Sequence, residues 1–195
     1  MKKISQPLAI IGFAVLSTVA CAQKTENAST STDSQKSTAV VGDTKATAEQ
    51  KKTAAEEKAK LAKPYNPKAN AEKDIEMLVA KAKKENKNVM IQAGGNWCIW
   101  CLRFNNFVMN DPKLKAIVDK NYEYYHLNYS PENKNEKVFA KYGNPGDKFG
   151  YPVFIILDSK GEVLHVQSSE ILEEGKGYSR DRVSEFLNKW GTTKS

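Results

Sequence analysis

Gly94-Gly95-Asn96-Trp97-Cys98-Ile99-Trp100-Cys101-Leu102 decides how this chain is read. It follows the apolar run Val89-Met90-Ile91, so a short buried strand is expected to pass through a glycine turn into the start of a helix. Residues at i and i+3 of a helical turn share a face, and their Cα atoms then lie within disulfide range. Cys98 and Cys101 can therefore alternate between dithiol and disulfide with little backbone motion. Cys98, at the helix start, meets unpaired N–H groups and the positive end of the helix dipole, which favour a thiolate. Cys101, one turn inside, is shielded. That asymmetry assigns Cys98 as the nucleophile and Cys101 as the resolving thiol.

Other uses of the pair are weaker. A structural disulfide across so short a loop constrains little of the unfolded chain. Zinc needs four ligands, yet there is no second cysteine pair, and His126 and His165 are the only histidines. Haem attachment needs a histidine after the second cysteine, where Leu102 stands. A two-thiolate Cu(I) site stays open as an alternative. Of the flanking indoles, Trp97 is expected to pack under the site and exclude water. Trp100 is expected to be exposed, as an apolar platform for a partner polypeptide, with core packing as the other reading.

Upstream of the motif, Ala71, Ile75, Leu78, Val79 and Ala82 recur at helical spacing, predicting a helix over residues 70–85 with Asn70 as N-cap. Downstream, Phe104, Phe107 and Val108 continue the cysteine helix. Asp111 and Pro112 restart it, with Leu114, Ile117 and Val118 on the apolar side. Tyr122 to Leu127 reads as a strand, Glu132 to Tyr142 as a short helix, and residues 143–150 as a loop. Val153-Phe154-Ile155-Ile156-Leu157 is continuous enough for a strand buried on both faces. Glu162 to Gln167 returns antiparallel to it, and Ser179 starts a last helix carrying Val183, Phe186, Leu187 and Trp190. The order predicts an α/β sheet with helices on both faces.

The first residues read as an address. Met1-Lys2-Lys3 and the apolar run Leu8 to Ala20 have the layout of a signal peptide over residues 1–20, too short to span a bilayer. Thr18-Val19-Ala20-Cys21 resembles a bacterial lipobox, in which Cys21 is lipidated, although Thr18 stands where Leu is preferred. An ordinary cleavage site between small residues also fits. The odd cysteine favours lipidation, which would remove a lone exported thiol. Residues 21–66 then read as a tether, polar at first and Ala/Lys/Glu-rich later, disordered or weakly helical. The net charge of +7 comes from lysines scattered among glutamates, a solvated surface rather than a nucleic-acid site.

Trp97-Cys98-Ile99-Trp100-Cys101 after a strand, with Tyr151-Pro152 opening Val153–Leu157, resembles the thioredoxin superfamily. Within it the likeness is to exported thioredoxin-like proteins with a Trp-Cys-x-Trp-Cys site. The resemblance implies a thioredoxin-like fold over residues 67–195, with a central mixed sheet and helices on both faces. It implies that Pro152 is cis beside the cysteines and that the Tyr151 backbone offers hydrogen bonds to a substrate strand. Trp97, Trp100, Tyr151 and Pro152 are then the substrate-binding set. No cofactor beyond a redox-active Cys98–Cys101 disulfide is implied.

Three departures stand out. Ile99-Trp100 replaces the Gly-Pro of thioredoxin. Gln92 replaces its buried acid, so a proton acceptor for Cys101 is missing from its usual place; His126, together with Gln92, is the candidate proton relay, an ordinary surface or core histidine being the other reading. Residues 143–150 insert before the proline.

The expected protein is thus a thiol–disulfide oxidoreductase of the bacterial envelope, reducing protein or small-thiol disulfides. It would be lipid-anchored through Cys21 and periplasmic, or else soluble in the periplasm or secreted. A membrane thiol protein is its implied electron donor. The alternative is a non-catalytic envelope binding module using the cysteine pair for Cu(I), or the Trp100 surface for a partner protein.

Overall fold

The structure, a computed structural model, describes residues 48–192. The expected signal peptide, Cys21 and the first part of the tether lie outside the described residues. Among the described residues no helix is long and apolar enough to cross a membrane.

Four strands form the central sheet in the order β2-β1-β3-β4. Strand β1 (Asn88–Gly94) pairs parallel with β2 (Tyr122–Asn128) and antiparallel with β3 (Val153–Leu157), and β3 pairs antiparallel with β4 (Val163–Ser168). Every residue of β1 and β3 is buried, as their unbroken apolar runs require. Strand alternation then sorts the core. Met90, Phe154 and Ile156 face α3 (Ile99–Asn110), α4 (Pro112–Asn121) and α7 (Arg180–Lys189). Val89, Ile91, Ala93, Val153 and Ile155 face α2 (Ala71–Glu85) and α5 (Glu136–Lys141). A small hairpin, β5 (Glu173–Glu174) with β6 (Gly177–Tyr178), leads into α7.

Local chemistry sets the helix ends. The Asn70 side chain accepts from Lys73 N–H, and Asn86 closes α2 in the left-handed region. Asp111 accepts from Lys113 and Leu114 N–H and ends α3 while starting α4. Two segments differ from expectation. The helix expected from Glu132 begins only at Glu136, because Ser130 and Asn133 bridge and Asn135 turns through a φ of 49°. The expected loop 143–150 contains a one-turn helix, α6 (Pro145–Phe149), with Pro145 at its first position.

The fold also reaches further back than the expected boundary at residue 67. Helix α1 (Ala48–Lys60) is anchored where Glu57 forms a two-bond ion pair with Arg103 of α3. Beyond it Leu61 packs on the cysteine cluster, and Tyr65 is only 2% exposed. Burying an aromatic of this size contributes roughly 2 kcal/mol, enough to hold a short segment in place. Residues 57–66, expected as the end of a tether, therefore pack against the fold.

Candidate active site

Strand β1 ends at Gly94, and the chain turns so that Cys98 becomes the N-cap of α3. The Cys98 sulfur accepts the Cys101 N–H at 3.1 Å. This is the position at which a helix offers an unpaired donor, and it favours negative charge on sulfur. Cys98 and Cys101 form a disulfide with their Cα atoms 5.3 Å apart. Cys98 is 6% exposed and Cys101 is sealed. The Tyr151–Pro152 peptide is cis, and the Tyr151 carbonyl lies 3.6 Å from the Cys98 sulfur, close enough to accept a hydrogen bond from the thiol once reduced.

Two different walls enclose the pair. On the Cys98 side, Trp97 is 47% exposed and donates its Nε1–H to the Tyr129 carbonyl at 2.6 Å. Its ring meets Tyr151 edge-on, and Tyr151 stacks on Tyr129. Burial pushes the Tyr151 hydroxyl up to about 12, so it remains a neutral donor at ordinary pH. An apolar hollow of about 380 Å³ opens beside Trp97, Tyr129 and Pro131. Gly95 permits this wall: a Cβ there would lie 2.4 Å from the Trp97 ring nitrogen.

On the Cys101 side the wall is polar and closed. Gln92 is fully buried beneath α3 and donates to the Cys101 carbonyl at 2.8 Å and to the Tyr65 hydroxyl oxygen at 2.6 Å. It accepts from the Tyr124 hydroxyl. Asn96 clamps the Tyr65 backbone, accepting from its N–H and donating to its carbonyl. His126, in register with Gln92 on β2, packs against the rings of Tyr65 and Tyr124. Its Nε2 is buried without a partner, and burial lowers its pKa to about 4. The ring is therefore neutral near pH 7 and too weak a base to deprotonate a thiol there.

A thioredoxin-like family model matches residues 70–159. The fold is thioredoxin-like. A disulphide isomerase from Xylella fastidiosa Temecula1 superposes with a TM-score of 0.58 at 23% identity, covering 66% of this chain and 97% of that one. The C-terminal domain of DsbD from Neisseria meningitidis, in its oxidised form, gives 0.45 at 19% identity over 63% and 97%. A thioredoxin from Thermus thermophilus gives 0.43 at 19% identity over 58% and 81%. At these identities the likeness is one of fold. Comparison with curated protein sequences gave no match.

The thioredoxin-like domain brings Trp97, Cys98, Cys101, Tyr151, Pro152 and Gln92 to one place. It reverses the expectation for the tryptophans. Trp97 is the exposed one, because its Nε1–H reaches across to Tyr129 at the rim. Trp100 is partly buried against Tyr178 and beneath the Arg103 guanidinium, and its carbonyl accepts from the Tyr178 hydroxyl at 3.0 Å. It forms no open platform. Sequence reasoning missed Tyr65 and Asn96. The available signal was one aromatic between two prolines at the end of a polar stretch, Pro64-Tyr65-Asn66-Pro67.

Proposed function

We propose that this protein is a thiol–disulfide oxidoreductase that reduces protein disulfides through the Cys98/Cys101 dithiol. The single observation that supports it best is the asymmetry of the pair: Cys98 at a helix N-cap on the rim, Cys101 sealed behind it. In the dithiol form the Cys98 thiolate attacks one sulfur of a substrate disulfide, and the other substrate sulfur leaves and takes a proton. Cys101 then loses its proton and attacks the Cys98 sulfur, closing the Cys98–Cys101 bond and releasing the second substrate thiol. Two electrons and two protons pass to the substrate, and a dithiol donor at the membrane restores the pair. Trp97, Tyr151 and Pro152 form the surface that a substrate strand would meet. Lipid anchoring through Cys21 in the bacterial envelope completes the reading, supported by the leader-like sequence before it.

The experiment is a titration of the full protein in a glutathione redox buffer with insulin reduction assayed alongside. A reversible two-electron equilibrium with turnover, abolished by Cys98→Ser, is expected. Cys101→Ser should trap a mixed disulfide on Cys98. Absence of equilibrium and turnover in the wild type overturns the enzyme reading. Cys21→Ser should release the protein from the membrane fraction, and continued association would sink the lipid anchor at that residue.

A further inference from the structure

In the proposed cycle Cys101 must give up a proton inside the fold before it can attack, and uncharged Gln92 stands below it. The orientation of that amide is fixed. The Cys101 carbonyl can only accept, so the Gln92 atom 2.8 Å from it is Nε2. The same nitrogen donates to Tyr65, so the Tyr65 oxygen is an acceptor toward Gln92 and its own hydrogen points elsewhere. The place it can serve is defined by Gly94: a Cβ built there would lie 2.4 Å from the Cys101 sulfur and 3.1 Å from the Tyr65 hydroxyl oxygen. Sulfur and hydroxyl thus flank one point that only glycine leaves open. Tyr65 and Cys101 also share one buried cluster.

We propose that the Tyr65 hydroxyl, held by Gln92 and by the Asn96 clamp on its backbone, donates a hydrogen bond to the Cys101 sulfur of the reduced protein and stabilises its thiolate. Tyr65 is a positioning residue for the resolving thiol, and the inference rests on the oxidoreductase reading. Tyrosine keeps its own proton throughout, because burial holds the hydroxyl well above its ordinary value. The proton released by Cys101 balances the one taken up by the departing substrate sulfur. The other titratable groups around this site are Tyr124 and His126 from β2, Tyr178 from β6 and Tyr151 beside Cys98, all neutral near pH 7. Glu57 of α1 and Arg103 of α3 are paired with each other. A neutral donor is then the means of lowering the Cys101 pKa. It comes from the segment preceding α2 rather than from the sheet.

The test is the titration of Cys101 in the full-length reduced protein carrying Cys98→Ser, so that one active-site thiol titrates alone. Its 13Cβ shift is followed against pH with Tyr65, with Tyr65→Phe, and with 3-fluorotyrosine placed at position 65. The phenylalanine variant should raise the Cys101 midpoint by about one to two pH units, the effect of losing one hydrogen bond to a charged group. In the Cys98-containing protein it should slow resolution of the mixed disulfide at least about tenfold at pH 7. The fluorinated side chain, a stronger donor of nearly equal size, should lower the midpoint. If Tyr65→Phe fails to fold, the fluorinated protein decides alone. An unmoved midpoint overturns the inference, even where wild-type insulin reduction is intact. Lack of turnover in the wild type instead defeats the oxidoreductase reading, and the titration still reports on the hydrogen bond.

Discussion

The two sulfurs of one disulfide sit in opposite surroundings. Cys98 borders a rim of aromatic rings, Trp97 edge-on to Tyr151 and Tyr151 stacked on Tyr129, that leaves an apolar hollow open to solvent. Cys101 is enclosed by Tyr65 and Leu102 and underpinned by Gln92, whose amide hydrogens are both spent. The indoles follow the same division, with Trp97 half exposed at the rim and Trp100 packed against Tyr178. An exposed apolar rim suits contact with a partner chain, since covering it removes apolar surface from water. A closed polar wall suits a fixed hydrogen-bond arrangement, because buried donors and acceptors tolerate little misalignment. The sheet separates neither side from the other; the division arises within one turn of α3.

The sharpest way to break the closed side is Gly94→Ala. Its methyl group would collide with the Cys101 sulfur, and neither the buried strand end nor the sealed sulfur has room to yield. Destabilisation of about 2–3 kcal/mol is expected in urea unfolding of the oxidised protein. A loss under about 0.5 kcal/mol would show that this wall is looser than its geometry implies.

His126 gives the next effect, through pH. Its folded pKa of about 4 lies below the ordinary value of 6.5. Between those values the unfolded chain binds a proton that the folded one refuses, so stability falls as pH drops through that interval. The loss approaches about 3 kcal/mol by the acid end of that interval, and His126→Gln should remove this part of the pH dependence. Parallel stability profiles for the two proteins from pH 7 to about 4 would contradict it.

On the open side, Trp97→Ala should cost under about 1 kcal/mol of stability, since the ring is half exposed. It should raise KM for a protein disulfide several-fold while leaving reduction of a small disulfide nearly unchanged. Equal effects on both substrates would remove Trp97 from the contact surface. Smallest is Glu57→Gln, which weakens the pair with Arg103. The carboxylate is 41% exposed, so solvent screening limits the change to a few tenths of a kcal/mol. The Arg103 side chain holds Glu57 below the usual carboxylate range, so this contribution is present near neutral pH and fades as acid protonates the glutamate. A thermal shift of several degrees would mean that the pair controls docking of α1.

What could be read from residues in order was what local chemistry decides. Asn70 and Asp111 announce their helices because a cap needs only a side-chain oxygen and N–H groups two or three residues on. The unbroken Val153–Leu157 run reads as a strand covered on both faces, and all five residues are buried in β3. The cysteine spacing within a single turn carried the chemistry of the pair. By contrast, Glu132 to Asn135 looked helical until side chains of Asn128 and Asn133 tied it into a turn.

Tyr65 shows most plainly where sequence ends. Its partners are Gln92, 27 positions on, and Asn96, 31 positions on, and neither pairing leaves a periodic trace in a polar, lysine-rich stretch. The same limit governed the tryptophans: an indole's exposure depends on whether its nitrogen finds Tyr129 across the rim or its ring finds Tyr178 beneath. The sequence by itself determined a strand, a turn and a helix carrying two thiols one turn apart, because those are short-range consequences of apolar patterning and capping. Only the tertiary structure decided which wall each thiol faces, because burial and hydrogen bonding are settled by side chains that meet across the fold.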